Sequence, residues 1–296
     1  MIRLSIIILL LLSFLFLITN SSSLVNNENS DEFLFVTTDY ILYDFTKNIV
    51  KDKAEIILLL NTEQDIHDWE PRISDIQTIS HADVLIYNGL LLEPFIKKLV
   101  VSADNRNLIL INSTEGLFTN DDRGIDPHVW VNPIFSKHQV SQISNILIQS
   151  YPSDKQFYLD NSTSYLSQID NLDIEIKKSI SKLDSKNFLE CHTGIKYFAI
   201  QYGLNSYNIL GDEKYHPHNE SSLSSLNYWI NFAKNTEISV IFADPVHCKK
   251  LSQTLSNELN LKIIYLSSPM EAVSNDDVTY FSEMRKYSNI IINALM

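Results

Sequence analysis

From residue 33 onward, short apolar runs alternate with segments in which apolar residues recur every three or four positions. The runs are typical of buried strands, and the wider spacing is typical of amphipathic helices. In the first half we predict strands at Phe33–Thr37, Glu55–Leu60, Val84–Tyr87 and Leu108–Ile111 and helices at Tyr40–Val50, Ser74–Ala82 and Glu93–Val100. Ser74 is the expected N-cap of its helix. Strands separated by helices indicate parallel βαβ units.

A long amphipathic segment follows in the middle of the chain. Its apolar residues recur every three, four or seven positions, at Tyr158, Tyr165, Ile169, Leu172, Ile176, Ile180 and Leu183. This spacing predicts one helix of about 30 residues, from about Asp154 to Leu183. Such a helix is either a long surface helix or a rigid connector between two lobes.

The strand and helix alternation resumes after this helix. We predict strands at Phe188–Cys191, Ser239–Ala243 and Lys262–Leu266 and helices at Gly194–Tyr202, Ser222–Asn235, Lys249–Leu259 and Tyr280–Ala294. Gly203 is the expected C-cap of the first of these helices. The whole pattern predicts an α/β fold with two parallel-sheet lobes, residues 33–150 and 187–296, joined by a linking helix at 154–184.

The N-terminus, residues 1–22, has the features of an export signal. Arg3 precedes an apolar run from Leu4 to Ile18, and small polar residues follow. The run is shorter than the roughly 20 residues that a membrane-spanning helix needs. No cysteine lies near its end, so a lipid-anchored cysteine is not available. We therefore expect an extracytoplasmic protein whose leader is either cleaved or kept as an N-terminal anchor.

Charge and cysteine content narrow the possible functions. The formal net charge is −13, and loss of the leader would make it more negative because Arg3 is the leader's only charged residue. Nucleic-acid binding depends on Lys and Arg at phosphates, so this balance argues against it and suits a chain that meets cations. Cys191 and Cys248 allow one disulfide but not a disulfide scaffold.

Three of the eight histidines, His67, His128 and His192, lie in or near loops that follow predicted strands. Ligands of open α/β sheets bind beyond the carboxyl ends of strands, which makes these three the candidate metal ligands. Three histidines and one carboxylate would form the four-coordinate site that zinc favours. Asp276 and Asp277 precede the last helix and are the candidate carboxylates, although Asp at this place also caps helices.

The remaining histidines have weaker claims. His81 and His138 are predicted to lie on helices, at the surface or at the edge of the core. His216 and His218 form a loop pair that binds metal weakly or not at all. His247 follows a buried strand and is a candidate ligand or supporting group.

The segments that carry the three candidate ligands resemble the cluster A-I metal-binding receptors of bacterial and archaeal ABC importers. DIHDWEP, DPHVWVNP and CHTGIKYFAIQYGL match the family's ligand motifs, and the resemblance covers nearly the whole mature chain. It implies two α/β lobes bridged by one long helix, with the metal in the cleft between the lobes. It also implies that His67, His128 and His192 are the first three ligands.

The family's fourth ligand is usually an Asp two residues before the tyrosine that matches Tyr280. That position is Val278 here, and Asp277 lies one residue earlier. Asp277 is our predicted fourth ligand, with Asp276 or water as alternatives. Histidine as third ligand favours Zn²⁺, with Mn²⁺ as the alternative, because imidazole suits zinc better than the harder manganese ion. Residues 113–125 lack the His-rich loop of many zinc receptors.

The resemblance implies a binding protein and not an enzyme. It would capture the metal outside the cytoplasm and deliver it to the membrane permease of an ABC transporter, and we expect it to be a monomer. A surface adhesin is the alternative, because the family includes proteins described in that way. A secreted zinc hydrolase is disfavoured because the sequence has no HExxH helix.

Overall fold

Two four-stranded parallel sheets form the framework of the protein. The computed structural model describes residues 33–60, 66, 69–117, 126–191, 194–210, 223–245, 248–271 and 278–296. Within these ranges, no helix is both long and apolar enough to cross a membrane.

The first sheet has the strand order β2-β1-β3-β4. Its strands are β1 (Phe33–Thr37), β2 (Ala54–Leu58), β3 (Val84–Tyr87) and β4 (Ile109–Asn112), and its helices are α1 (Tyr40–Val50), α2 (Ile73–His81), α3 (Ile96–Ala103) and α4 (Pro133–Ser150). Strands β1 and β3 are central, and residues Val84 to Ile86 are fully buried. Because β2 and β3 lie on opposite sides of β1, the chain reverses direction across the sheet there, which leaves a crevice at the carboxyl ends of β1 and β3.

The long helix α5 (Lys155–Ile180) follows a short 3-10 turn at Pro152–Asp154. It is shorter than the predicted 154–184 segment because the chain turns at residues 181 and 182. Its buried face carries the predicted apolar series and packs against α4 and α1. The linking helix between two parallel-sheet lobes is therefore confirmed.

The second sheet repeats the order of the first, as β6-β5-β7-β8. Its strands are β5 (Asn187–Cys191), β6 (Asn205–Asn208), β7 (Val240–Ala243) and β8 (Lys262–Tyr265), and its helices are α6 (Lys196–Tyr202), α7 (Leu223–Asn235) and α8 (Lys249–Leu259). The terminal helix α9 (Tyr280–Leu295) packs against α5 and α1, and its buried side chains join the larger of the two hydrophobic cores.

A buried carboxylate joins the helices α1, α5 and α9. Asp44 accepts hydrogen bonds from the Tyr165 hydroxyl at 2.5 Å and from the Tyr280 backbone N–H at 3.2 Å, both at Oδ2. Burial raises the pKa of Asp44 above its usual value, although these two donors favour the charged form. The beginning of α9 is thereby fixed against the first lobe.

Most predicted elements are present, with three differences. Helix α4 (Pro133–Ser150), on which His138 lies, was not among the predicted ranges. The Ser74 cap is wrong: α2 begins at Ile73, its N-cap is Arg72, and the Arg72 backbone N–H donates to the Asp75 carboxylate at 2.7 Å. The edge strand β6 was not predicted because its sequence, NSYN, has no apolar run. The Gly203 C-cap is confirmed by its left-handed backbone (φ 66°).

Cys191 and Cys248, whose pairing the sequence left open, form a disulfide with a Cα–Cα distance of 6.0 Å. Both residues are buried in the smaller core, which lies in the second lobe. The bridge closes a loop over a sequence separation of 57 residues.

We expect Asp44→Ala to lower the free energy of unfolding of the metal-free protein by about 3 kcal/mol, because it leaves the Tyr165 hydroxyl and the Tyr280 amide without their buried acceptor. Urea denaturation measures the change. Asp170→Ala is the matched control on α5, since the ion pair of Asp170 with Lys137 is exposed, and it should change stability by less than about 1 kcal/mol. Equal effects of the two substitutions would contradict a special role for Asp44.

Candidate metal site

His128 lies in a turn that leads into the short 3-10 helix Val129–Val131 and then into α4. Oδ1 of Asp126 accepts from the His128 backbone N–H at 3.0 Å and lies 2.7 Å from ring atom Nδ1. A carboxylate at this distance places the proton on Nδ1, so Nε2 is the ring nitrogen whose lone pair can bind a metal. Asp126 thus sets both the tautomer and the direction of the imidazole.

The electrostatics of this pair suit a metal ligand. Burial alone would raise the pKa of Asp126, but the hydrogen bonds from the ring and the backbone N–H of His128, aided by the charge of Lys196, hold that pKa below its usual value. Asp126 is therefore ionised at neutral pH. A carboxylate behind a ligating imidazole increases the basicity of the imidazole and strengthens its bond to a metal.

The first lobe holds the His128 turn through Asn88, which follows β3. The Asn88 side-chain amide donates to the Pro127 carbonyl at 3.2 Å, and its side-chain oxygen accepts from the Gln139 amide at 3.0 Å. Gln139 also donates to the Ser113 hydroxyl at 2.9 Å. This buried network connects the carboxyl end of the first sheet to the residue before His128.

The second lobe holds the same turn from the other side. The Tyr197 hydroxyl, on α6, donates to the Asp126 carbonyl at 3.1 Å, and the Trp130 indole N–H donates to the Ser268 hydroxyl at 3.1 Å. Gly194 (φ 61°) lies so close that a Cβ there would be 2.9 Å from Cγ of His128. The histidine therefore sits where the two lobes meet.

Two buried carboxylates lie at the carboxyl ends of β1 and β3. Burial raises the pKa of Asp39 to about 6. Burial and the charge of Asp39 raise the pKa of Glu93 to about 7, while donation from the Asn88 and Gly89 backbone N–H groups opposes the rise. Raised pKa values mean that these two carboxylates are only partly ionised near neutral pH, and a cation bound near the crevice would favour their charged forms.

The structure places only some of the predicted site residues. His128 is at the lobe junction, while His81 and His138 are on helices as predicted and approach the carbonyl oxygens of Gln77 and Glu115. The other candidates lie outside the described residues: His67, His192, His216, His218, His247, Asp276 and Asp277. Among the residues that are described, no three His, Cys, Asp or Glu side chains come together as a metal-binding group.

Several residues of the site were missed by the sequence analysis. Asn88 and Ser268 follow the predicted strands β3 and β8, so their positions at carboxyl ends were the available signal. Gly194 had a signal too, as one of only six glycines and two residues from a candidate ligand. The pattern of apolar residues does not reveal these contacts, because it reports burial and not hydrogen-bond partners.

Sequence comparisons identify similar proteins. The profile of a family described as zinc-uptake complex component A, periplasmic, matches residues 35–294. The high-affinity zinc uptake system protein ZnuA of Bacillus subtilis is 29% identical over 267 residues, which cover 85% of this chain and 82% of that protein. The zinc-binding lipoprotein AdcA of Streptococcus pneumoniae is 28% identical over 271 residues, and the chain spans only 53% of its length.

Solved structures agree with the sequence matches. The metal-dependent lipoprotein YcdH from Bacillus subtilis superposes with a TM-score of 0.74 at 29% identity, covering 89% of this chain and 99% of that one. The Zn(II)-bound ZnuA-like domain of Streptococcus pneumoniae AdcA gives a TM-score of 0.73 at 27% identity, with the same coverage.

We expect Asp126→Ala to weaken metal binding by about 10- to 100-fold, because the His128 ring loses the carboxylate that orients it. Asp126→Asn should have a smaller effect, since its amide oxygen can still accept from the ring. Competition with a fluorescent chelator measures the affinity, and Asp184→Ala, an exposed carboxylate beyond α5, is the control. Unchanged affinity in Asp126→Ala would show that His128 does not bind the metal through this arrangement.

Proposed function

Because the chain belongs to the family of zinc-uptake complex component A proteins, we propose that it captures zinc with His67, His128, His192 and Asp277 and acts as a monomer. It is a solute-binding receptor and not an enzyme; it works outside the cytoplasm and supplies an ABC permease. The observation that carries the proposed ligand set is the position of His128, whose turn is held by both lobes. Mn²⁺ is the alternative cargo.

His67 is supported by the described residues on either side of it. The pairing of β1 with β2 continues as the backbone N–H groups of Leu59 and Leu60 donate to the carbonyls of Thr37 and Thr38. Further along the chain, the side chains of Ile66 and Trp69 are buried, and the ring centroids of Trp69 and Phe95 lie 4.5 Å apart. His67 is therefore flanked by anchored residues that follow the carboxyl end of β2.

His192 is supported by Cys191 and Gly194. Cys191 is the last residue of β5, and Gly194 lies against the His128 ring. His192 is the residue that follows Cys191 and precedes Gly194 by two positions in the sequence. This place between two anchored residues supports His192 as the third proposed ligand.

Asp277 is supported by the next residue in the chain. The carbonyl of Val278 accepts a hydrogen bond of 2.5 Å from the Tyr40 hydroxyl, and Tyr40 begins α1 directly after the carboxyl end of β1. A carboxylate is also needed for charge, because three neutral imidazoles leave the +2 of the ion uncompensated in a partly buried cleft. Asp276 and water are the alternatives for this position.

We expect His67→Ala, His128→Ala and His192→Ala each to weaken zinc binding more than the loss of Asp126 does, because each removes a direct coordination bond. Calorimetric titration of metal-stripped protein should show one zinc site in the wild type. His81→Ala and His138→Ala serve as controls and should bind as the wild type does. Any of the three that keeps full affinity is not a ligand.

We expect Asp277→Asn to weaken zinc binding by at least about tenfold while the stability of the metal-free protein is unchanged, because Thr279 and not residue 277 caps α9, and the amide brings no negative charge. Titration calorimetry and thermal melting of the stripped protein separate the two effects. Normal binding by Asp277→Asn together with weak binding by Asp276→Asn would move the ligand by one residue. Normal binding by both would assign the fourth position to water or to another residue.

A further inference from the structure

The Cys191–Cys248 disulfide lies at the crevice of the second sheet. Cys191 ends β5 and is paired in register with Ala243, the last residue of β7, while Cys248 is the N-cap of α8. The order β6-β5-β7-β8 places the chain reversal of this sheet between β5 and β7. The disulfide thus braces the part of the second lobe where open α/β sheets bind ligands.

Backbone hydrogen bonds surround the bridge. The Asp244 N–H donates to the Cys191 carbonyl at 3.0 Å, and the Cys248 N–H donates to the Asp244 carbonyl at 3.2 Å. The Ser252 hydroxyl donates to the Cys248 carbonyl at 2.9 Å. Two of these three bonds involve Cys248, which precedes α8, whereas Cys191, the last residue of β5, takes part in one of them through its carbonyl.

The chain that leaves β5 is anchored again at Gly194. This glycine packs against the His128 ring, and its left-handed backbone and close approach leave no room for a side chain. Only residues 192 and 193 lie between the disulfide and this contact. The segment is therefore held at one end by a covalent bond to the second lobe and at the other by the first lobe.

We propose that the Cys191–Cys248 disulfide supports the metal site, by holding the end of β5 three residues before Gly194, whose backbone packs against the His128 ring. The inference rests on the proposed function, in which His192, the residue after Cys191, is a ligand. Without the bridge, the end of β5 is held to β7 by main-chain hydrogen bonds alone, such as that from the Asp244 N–H to the Cys191 carbonyl, and metal binding must then order it more tightly. Ordering that accompanies binding reduces affinity, so the oxidised protein binds zinc more tightly than a protein without the bridge.

The test compares zinc affinity with stability in the variant C191A/C248A. Alanines are used because free thiolates would themselves bind zinc. The bridge also restricts the unfolded chain, so its loss lowers Tm whether or not it supports the site. Leu255→Ala is the matched control, because Leu255 is fully buried in the same core but has no covalent link to β5.

We expect C191A/C248A to bind zinc about tenfold more weakly and to release it about tenfold faster than the wild type, whereas Leu255→Ala lowers Tm and binds zinc within twofold of the wild type. C191S/C248S provides a second variant should the alanine pair fold poorly. Wild-type affinity in a folded bridge-free variant overturns the inference, as does an equal loss of affinity in Leu255→Ala. Absence of zinc binding by the oxidised wild type instead overturns the proposed function.

Discussion

The burial of the Asp44 carboxylate between three helices is the constraint on which the rest of the architecture depends. A buried carboxyl group is tolerated only when donors satisfy it, and here Tyr165 on α5 and the first amide of α9 do so. The terminal helix is thereby held at one position against the first lobe. Its first side chain, Tyr280, then reaches the Trp130 carbonyl at 3.1 Å, two residues from His128. The hydrogen bonds of Tyr280 thus connect the packing of the three helices to the candidate metal site.

The His128 turn is held by fixed partners from both lobes before any metal arrives. The Asn88 side chain and the Tyr197 hydroxyl donate hydrogen bonds to the carbonyls of Pro127 and Asp126. The Asp126 carboxylate orients the His128 ring. Little of the free energy of metal binding is therefore spent on ordering this ligand. A receptor built in this way owes its selectivity to the identity and geometry of its donor atoms more than to closure of its lobes. The proposed donor set, imidazole nitrogens with one carboxylate, is one that favours zinc.

The sequence predicted the features that follow from periodicity. The two lobes, the long helix and the place of His128 after a strand all come from apolar spacing and from the rule that sites lie at carboxyl ends. Strand β6 was not predicted because an edge strand needs no apolar run. Ser74 is not the cap because the helix begins before it, at Ile73, where the Asp75 carboxylate accepts from the Arg72 backbone N–H. The contact between Trp130 and Ser268 joins residues 138 positions apart, which no local pattern encodes.

The contacts of Tyr280 also have a consequence for the order in which the molecule can fold. Its hydrogen bonds reach residues 236 and 150 positions earlier in the chain, so the first lobe cannot complete its packing until the final helix is available. Contacts of such long range are formed slowly, because a large loop must close before they contribute. Because the protein works outside the cytoplasm, this interface can close there only after the C-terminal helix has also been exported.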